Sequence, residues 1–287
     1  MNSSITAEET VPVELPDRTY HILIGRRLLD SIESLVHDLV HGDKVMIVAD
    51  AAVESPWGKK LLRALKDSDY DVELFTIPSG ETSKSPEVLL QLWERLAALG
   101  FTRDSAIIAL GGGVTGDLAG FAAASYLRGI NYIQIPTTLL AMVDSSVGGK
   151  TGINLASGKN LIGAFWQPSL VVIDLDVLGT LPEAARTSGL AEIIKHGVIH
   201  DADLFMTLER EVENLFVPGH GELLSSVVRR SVEIKALVVG ADEREAGLRA
   251  ILNFGHTLGH AIEAETRYMR HSHGEAVDGM GQVGTQN

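Results

Sequence analysis

Three histidines, at positions 256, 260 and 273, lie within eighteen residues of the sequence, and histidine is the commonest protein ligand for transition metals. His256 and His260 are four residues apart in NFGHTLGHAIEA, a spacing that places both side chains on one side of a helix. His273 follows in HSHGEAV, beside a glycine. The pattern predicts a metal site or a general acid–base histidine. Spacing alone nominates both His256 and His260 as ligands and does not distinguish the two roles.

A carboxylate that could complete such a site lies in GLAEIIKHG, residues 189–197. Glu192 and Lys195 are three residues apart on one helix face, and the apolar residues around them indicate a largely buried helix. A surface salt bridge is the ordinary interpretation of such a pair, but burial makes an idle ion pair less expected. Glu192 is therefore a candidate ligand in a site of the catalytic zinc type. His196 and His200 are interpreted as ordinary helix-surface or packing histidines.

A glycine cluster, GGGVTGD at residues 111–117, follows an apolar run and opens a helical pattern. It contains G-x-G-x-x-G as Gly111, Gly113 and Gly116, and glycines at a helix N-terminus let the backbone approach a pyrophosphate. The alternative is a tight strand–helix turn with no ligand. Three consecutive glycines after a buried strand favour phosphate binding.

Two further glycine-rich segments present lysines. SSVGGKTG (145–152) ends like a phosphate-binding P-loop, but the position of the first P-loop glycine is Asp144, so that interpretation fails. What remains is a glycine loop that presents Lys150, followed by GKN (158–160) with Lys159 and Asn160. These lysines indicate either an anionic ligand or a solvated surface, and this segment does not decide between them.

The composition limits the classes of partner. The 287 residues include 24 Lys and Arg against 38 Asp and Glu, a net charge of −14 with no basic stripe, so we expect no nucleic-acid partner. Cysteine is absent, which excludes thiolate metal sites and disulfides. No apolar run approaches the length of a membrane span, and the first eighteen residues are polar and acidic. These features predict a cytoplasmic protein without a membrane partner.

The elements that must position these residues alternate between strands and helices. Apolar strand patterns occur at residues 44–50, 71–77, 105–110, 131–135 and 169–175. Helical patterns at 85–100 and 114–127 lie between them, which predicts a parallel sheet covered on both faces, with ligands beyond the carboxyl ends of its strands. After Pro182 the pattern is helical, so we expect an α/β domain at 1–182 and a helical domain at 183–287.

Several of these motifs together resemble one family. They are GGGVTGDLAGFAAASYLRGI, IPTTLLAMVDSSVGGKTGIN, GKNLIGAFWQP, GLAEIIKHG and LNFGHTLGHAIE followed by HGEAV. The sequence is similar to the 3-dehydroquinate synthases of the shikimate pathway from about Asp50 to Met280. The resemblance implies a Rossmann-like N-terminal domain with a parallel sheet, then an all-helical metal-binding domain that is incomplete at its C-terminal end.

The resemblance also implies the activity, the cofactors and the metal ligands. The family converts the seven-carbon sugar acid phosphate DAHP to 3-dehydroquinate and phosphate by transient NAD-dependent oxidation, phosphate β-elimination, reduction and aldol closure. It binds NAD and one divalent metal, Zn²⁺ or Co²⁺. The family's ligands match Glu192, His256 and His273, and its proton-transferring histidine matches His260.

The family's other site residues fall into three groups. The NAD group matches Asp50, Glu81, Lys84, Gly112, Gly113, Val114, Asp117, Thr137, Thr138, Leu140, Thr180 and Leu181. The substrate group matches Asp144, Lys150, Lys159, Asn160, Lys195, Lys235, Arg249 and Asn253, of which Lys150, Lys159 and Asn160 also face the cofactor. Arg128 matches an arginine that reaches the partner subunit's site, so a homodimer is implied.

The sequence departs from the family pattern in three places. It ends seven residues after Met280, where the family's helical domain continues; Asp278 replaces a small residue; and Ala185 replaces a frequent glutamate near NAD. We therefore expect reduced stability and weak or absent activity. The alternatives are another sugar phosphate cyclase, a catalytically silent NAD-binding chain, and a metal-dependent polyol dehydrogenase, which would not need this set of lysines.

Overall fold

The computed structural model describes residues 9–255. Its central feature is a seven-stranded sheet, and a separate hairpin pairs two further strands. The strands are β1 Glu9–Glu14, β2 Thr19–Gly25, β3 Lys44–Asp50, β4 Asp71–Ile77, β5 Ala106–Gly111, β6 Asn131–Pro136, β7 Lys150–Leu155, β8 Gly158–Phe165 and β9 Leu170–Asp174. The helices are α1 Ile32–Val36, α2 Ala51–Val53, α3 Lys59–Lys66, α4 Pro86–Ala98, α5 Gly113–Ser125, α6 Glu183–His200, α7 Ala202–Glu211 and α8 Gly221–Ala241.

The sheet has the order β1-β2-β9-β6-β5-β3-β4. All neighbouring strands are parallel except β1, which pairs antiparallel with β2 at one edge. The chain runs outward from β3 to β4 and then returns past β3 to β5, so the direction of winding reverses between β3 and β5. Ligands of open α/β sheets bind at such a reversal, beyond the carboxyl ends of the strands.

Both faces of the sheet are covered, as the continuous apolar runs predict. In β3, Val45 and Ile47 belong to one buried apolar cluster, whereas Met46 and Val48 belong to the other. Alternate side chains of a strand point to opposite faces, so a strand buried on both faces must be apolar at every position. This is why β3 was predictable from KVMIVAD with the same boundaries.

The helices begin where capping residues allow. Ser85 accepts a hydrogen bond from the N–H of Val88, with Pro86 at the first helical position, and so starts α4. Asp201 ends α6 and caps α7 by accepting from the N–H of Leu204 at 3.0 Å.

No helix in residues 9–255 is long and apolar enough to cross a membrane.

The structure confirms the α/β class with a mostly parallel sheet followed by helices. It adds two pairs of strands that the sequence analysis did not predict, β1 with β2 and β7 with β8. Within residues 9–255 no strand follows Asp174, and α6 starts at Glu183. The domain boundary near residue 182 stays a prediction.

Candidate active site

A cavity of about 590 Å³ opens between the sheet's carboxyl edge, the β7–β8 hairpin and the helices after residue 183. It brings together most of the expected substrate residues. Those that line it are Asp144, Lys150, Asn160, Lys195, Lys235, Arg249 and Asn253, together with Asp117 from the expected NAD group. Four cations and the carboxylates of Asp117, Asp144 and Glu245 line this cavity, so its lining side chains carry one more positive than negative charge, which favours an anionic ligand.

The floor of this cavity holds two buried ion pairs. Lys235 of α8 donates to both the carboxylate and the backbone oxygen of Asp144, and Lys195 donates to Glu192 one turn earlier in α6. Glu192 is fully buried. Burial opposes ionisation of Asp144, but the charges of Lys235 and Lys195 outweigh it and hold the pKa of this carboxyl below its usual value.

His196 lies beside these pairs. It is fully buried, and its Nδ1 is 2.6 Å from the hydroxyl of Ser231 on α8. Burial, reinforced by the charge of Lys195, lowers the pKa of His196 to about 4, so the ring is neutral at pH 7. Its Nε2 has no hydrogen-bond partner among the described residues. The packing interpretation fits this burial, while His200 is exposed, as its surface interpretation requires.

Candidate metal-binding atoms of Asp144, Glu192 and His196 lie within 4.8 Å of one another. Of the expected metal ligands, only Glu192 belongs to the described residues. His256 and His273, and the expected proton-transferring histidine His260, lie outside them. The oxygen and nitrogen donors near Glu192 are of the type that zinc accepts.

Arg249 is held on the opposite wall. Its guanidinium is almost fully buried and donates to the carbonyl oxygens of Gly148, at 3.1 Å, and Glu243, at 2.6 Å. Asp242 fixes the loop that carries it, because its carboxylate accepts from the N–H groups of Arg249, Ala246 and Gly247. The arginine thus reaches the cavity from a rigid turn.

Glu245 is a site residue that the sequence analysis missed. It lines the cavity, pairs with Lys150 and accepts a hydrogen bond from Nδ2 of Asn253 at 3.1 Å. The bond from Lys150 lowers the pKa of Glu245, so it is a carboxylate at neutral pH. Its sequence signal is weak: ADEREAG (241–247) resembles the charged face of a helix, yet it forms a loop after α8.

The expected NAD residues surround the start of α5. Gly112 is its N-cap and has no side chain, so within residues 9–255 no side-chain cap covers the backbone N–H groups of the first turn. A Cβ at Gly113 would lie 3.0 Å from Oγ of Ser145, so there is little room for a side chain here. The hydroxyl of Thr115 is buried without a hydrogen-bond partner in the described part of the chain.

Lys84 and Asp117 form a further buried pair beside this turn, and Lys84 also donates to the side chain of Asn160. Burial raises the pKa of Asp117, against the opposing charge of Lys84. Glu81 accepts from Asn154 at 2.7 Å, and Lys159 is 3.9 Å from Glu81. The NAD and substrate groups are therefore joined through the hairpin.

The remaining expected residues lie around this centre. Asp50 ends β3, caps α2 and accepts from the hydroxyl of Ser79. Thr180 accepts from Nε1 of Trp57 at 3.3 Å. Val114, Thr137, Thr138, Leu140 and Leu181 follow β5, β6 or β9. Thr137 is buried, the hydroxyl of Thr138 accepts from the N–H of Ala141 at 3.1 Å, and Arg128 is exposed after α5.

Comparisons with known proteins give consistent results. Residues 74–188 match the family described as 3-dehydroquinate synthase N-terminal, and residues 189–285 match 3-dehydroquinate synthase C-terminal. The chain is 51% identical over 269 residues to a 3-dehydroquinate synthase of Caldanaerobacter subterraneus, covering 94% of this chain and 75% of that protein. Identity to the Microcystis aeruginosa 3-dehydroquinate synthase is 49%, with 93% and 73% covered.

Solved structures of sugar phosphate cyclases share the fold. A 2-deoxy-scyllo-inosose synthase complexed with carbaglucose-6-phosphate, NAD⁺ and Co²⁺ has a TM-score of 0.81 and 30% identity, over 94% of this chain and 74% of that one. A 2-epi-5-epi-valiolone synthase from Streptomyces hygroscopicus with NAD⁺ and Zn²⁺ bound has a TM-score of 0.78 and 33% identity, over 92% and 72%.

Proposed function

The chain belongs to the 3-dehydroquinate synthase family of phosphate lyases, and from this premise we propose that its cavity converts DAHP to 3-dehydroquinate and phosphate. The observation that carries the proposal is the convergence of Lys150, Lys195, Lys235 and Arg249 on one cavity. DAHP has two anionic groups, a phosphate and a carboxylate. Arg249, held by two carbonyl oxygens, has the fixed planar fork that suits a carboxylate.

NAD fits the turn that opens α5. Its pyrophosphate would meet the free N–H groups behind Gly112 and Gly113, at a helix end that favours negative charge. Asp50 ends β3 next to this point in the sheet, where an acidic residue can bind a ribose hydroxyl. Bound NAD supplies a transient hydride acceptor, and a bound divalent metal supplies Lewis acidity toward the substrate's hydroxyls.

For the metal we propose Glu192, His256 and His273 as ligands and Zn²⁺ or Co²⁺ as the ion. Glu192 is buried on the rigid helix α6 and has the right donor chemistry. The alternative cluster of Asp144, Glu192 and His196 is supported by its 4.8 Å geometry. We prefer the first set because its residues match the family's metal ligands, whereas the lysine pairs of Asp144 and Glu192 weigh equally on both sets.

The chain's own residues then divide the work. Lys150, Lys195 and Lys235 bind the substrate's negative charges, Asn160 lines the cavity from the hairpin, and Lys159 lies beside Glu81. Glu245, ionised beside Asn253, is placed to accept a proton from substrate at the mouth of the cavity. We propose His260 as a second proton-transferring group.

We propose a homodimer in which the partner subunit's Arg128 completes the phosphate pocket. Arg128 is exposed with a left-handed backbone, φ +69. Leu127, next to it in the chain, is an exposed apolar residue, and β8 exposes Leu161, Ile162 and Phe165. Such a surface is what an interface between copies would cover.

We also propose a cytoplasmic location, because NAD and phosphorylated sugar acids are charged molecules retained inside cells.

Mixing two inactive variants tests the dimer. Arg128→Ala damages the partner's site, whereas Lys195→Ala damages its own. A mixed dimer therefore contains one intact site, so activity should return on mixing after dissociation and reassociation. Variants that stay inactive in verified mixed dimers would contradict the role of Arg128.

A second function, another sugar phosphate cyclase activity, is favoured by the structural likeness to 2-deoxy-scyllo-inosose and 2-epi-5-epi-valiolone synthases. A substrate panel separates them. Purified protein with NAD⁺ and Zn²⁺ receives DAHP, a seven-carbon ketose phosphate without a carboxylate, or glucose 6-phosphate. Turnover of DAHP but of neither other substrate, together with loss of that turnover in Arg249→Met, would support the proposal. Faster turnover of a substrate without a carboxylate would contradict it.

A further inference from the structure

The side chain of Asn154 makes two hydrogen bonds in opposite directions. Its Oδ1 accepts from the backbone N–H of Asn160 at 2.9 Å, and its Nδ2 donates to Oε1 of Glu81 at 2.7 Å. Its own backbone N–H donates to the carbonyl oxygen of Lys84 at 2.8 Å. One half-buried residue thus contacts both the turn around Glu81 and the tip of the β7–β8 hairpin.

The hairpin needs this contact because its register is irregular. Ile153 pairs with Ile162 and Leu155 pairs with Gly158, so Asn154 faces an extra loop of the opposite strand. A bulge leaves backbone groups without ladder partners. The side-chain oxygen of Asn154 accepts a hydrogen bond from the N–H of Asn160, which has no partner in the strand ladder. Asn160 itself has a left-handed backbone, with φ +56. The amide therefore stabilises a conformation that costs free energy on its own.

The conformation of Asn160 matters to the cavity. Asn160 lines it, and its side-chain oxygen accepts from Lys84, which is also paired with Asp117. If the backbone of Asn160 relaxed out of the left-handed region, its side chain would turn away from Lys84. The neighbouring Lys159 would move with it.

We propose that Asn154 is a positioning residue, whose one amide fixes Asn160 of the hairpin through its oxygen and Glu81 of the cofactor turn through its nitrogen. Asn154 is not itself one of the residues that line the cavity, and it acts through these two residues. This inference rests on the proposed function, since Asn160 is taken to bind substrate and Glu81 to bind NAD.

Two substitutions separate the two bonds. Asn154→Ala removes both. Asn154→Asp keeps an oxygen for the N–H of Asn160 but loses the donor to Glu81 and sets two carboxylates face to face. Ser157→Ala is the matched control, because Ser157 is exposed in the same turn and its side chain makes no hydrogen bond among the described residues.

The first readout is hydrogen exchange at the amide of Asn160, which does not depend on catalysis. Loss of one hydrogen bond corresponds to roughly a tenfold change. We expect exchange about tenfold faster in Asn154→Ala, and exchange near wild type in Asn154→Asp and Ser157→Ala. Unchanged exchange in the alanine variant, or equal acceleration in the alanine and aspartate variants, would overturn the proposal.

The second readout separates the two ligands. We expect the KM for DAHP to rise about tenfold in Asn154→Ala and to recover in Asn154→Asp, whereas the dissociation constant for NAD rises in both. A similar loss of kcat in both variants, with the KM for DAHP and the dissociation constant for NAD unchanged, would also overturn the proposal. If wild-type protein does not turn over DAHP, the proposed function fails, and amide exchange still decides the role of Asn154. If Asn154→Ala does not fold, the aspartate variant carries both readouts.

Discussion

The guanidinium of Arg249 lies directly against Gly148, although the two residues are 101 positions apart in the sequence. Gly148 has φ +102, and a Cβ added to it would overlap Nη2 of Arg249 and come within 2.8 Å of Cγ2 of Val239. Arg249 also donates to the carbonyl oxygen of Gly148. The missing side chain of Gly148 is therefore the space in which Arg249 is held.

Gly148→Ala should displace Arg249. The left-handed backbone and the overlap together should cost roughly 1–3 kcal/mol of stability, and the KM for DAHP should rise at least about tenfold because the carboxylate contact is misplaced. Gly179→Ala is the control, since a Cβ there meets no atom of residues 9–255 within 4 Å. Denaturant unfolding and steady-state kinetics measure both effects. A Gly148→Ala enzyme with the control's KM would contradict this role of Arg249.

Loss of both partners of the Lys235–Asp144 pair should lower the free energy of unfolding by less than the two single losses added together. Asp144→Asn leaves the ammonium of a buried lysine without its carboxylate, which should cost roughly 3 kcal/mol, the low end for a buried pair because Asp144 retains some exposure. The double variant Asp144→Asn with Lys235→Met should be less destabilised than the sum of the two single variants. Urea unfolding of all four proteins gives the coupling energy, and additive losses would mean that the pair is not coupled.

Tyr20 should make part of the stability depend on alkaline pH. Burial raises the pKa of its phenol, against the opposing hydrogen bond from the N–H of Gly148. An unfolded tyrosine ionises near pH ~10, so above that pH the unfolded state loses a proton that the folded state keeps, and stability falls as pH rises. The stability from neutral Tyr20 is fully present below pH ~10 and is lost above it.

Tyr20→Phe should thus be less stable than wild type by about 1 kcal/mol at pH 7, because the N–H of Gly148 loses its acceptor. The difference should narrow between pH ~10 and 11. Urea unfolding of both proteins across this range measures it, and the other titrating groups cancel in the difference. A gap that stays constant or widens would show that Tyr20 ionises in the folded protein.

Glu245→Gln should separate catalysis from binding. The pair with Lys150 is half-exposed, so stability should change by less than about 1 kcal/mol. If Glu245 accepts a proton, kcat should fall about a hundredfold or more while NAD affinity stays the same. Glu209→Gln, on an exposed position of α7, is the control. A glutamine variant with normal kcat would assign proton transfer to another group.

The central sheet was predictable because buried parallel strands are apolar at every position. β3 and β4 were predicted with the observed boundaries, and β5, β6 and β9 to within one residue. β7 and β8 were not predicted, since KTGINL and GKNLIGAF are rich in glycine and polar residues and β8 is mostly exposed. Their pairing is fixed by contacts distant in sequence, such as the bond from Asn154 to Glu81.

The site residues also divide into those with a local signal in the sequence and those that only the fold brings together. Lysines on glycine loops and the buried Glu192 could be nominated from type and burial pattern, but their roles came from family resemblance. Glu245 and Asn154 could not be nominated, because a carboxylate or an amide in a polar segment has no local signal. Only the folded chain shows that Glu245 meets Lys150 and that Asn154 meets Asn160.

Phosphate release from DAHP, measured with NAD⁺ and Zn²⁺ before and after chelation, tests the central claim most directly. Wild-type protein should release phosphate, lose that activity on chelation and regain it with Zn²⁺, whereas Glu192→Gln should bind NAD normally and release none at any Zn²⁺ concentration. Phosphate release that survives complete chelation, or an active Glu192→Gln protein, would contradict a metal site built on Glu192. Folded wild-type protein that binds NAD but releases no phosphate would contradict the proposed activity itself.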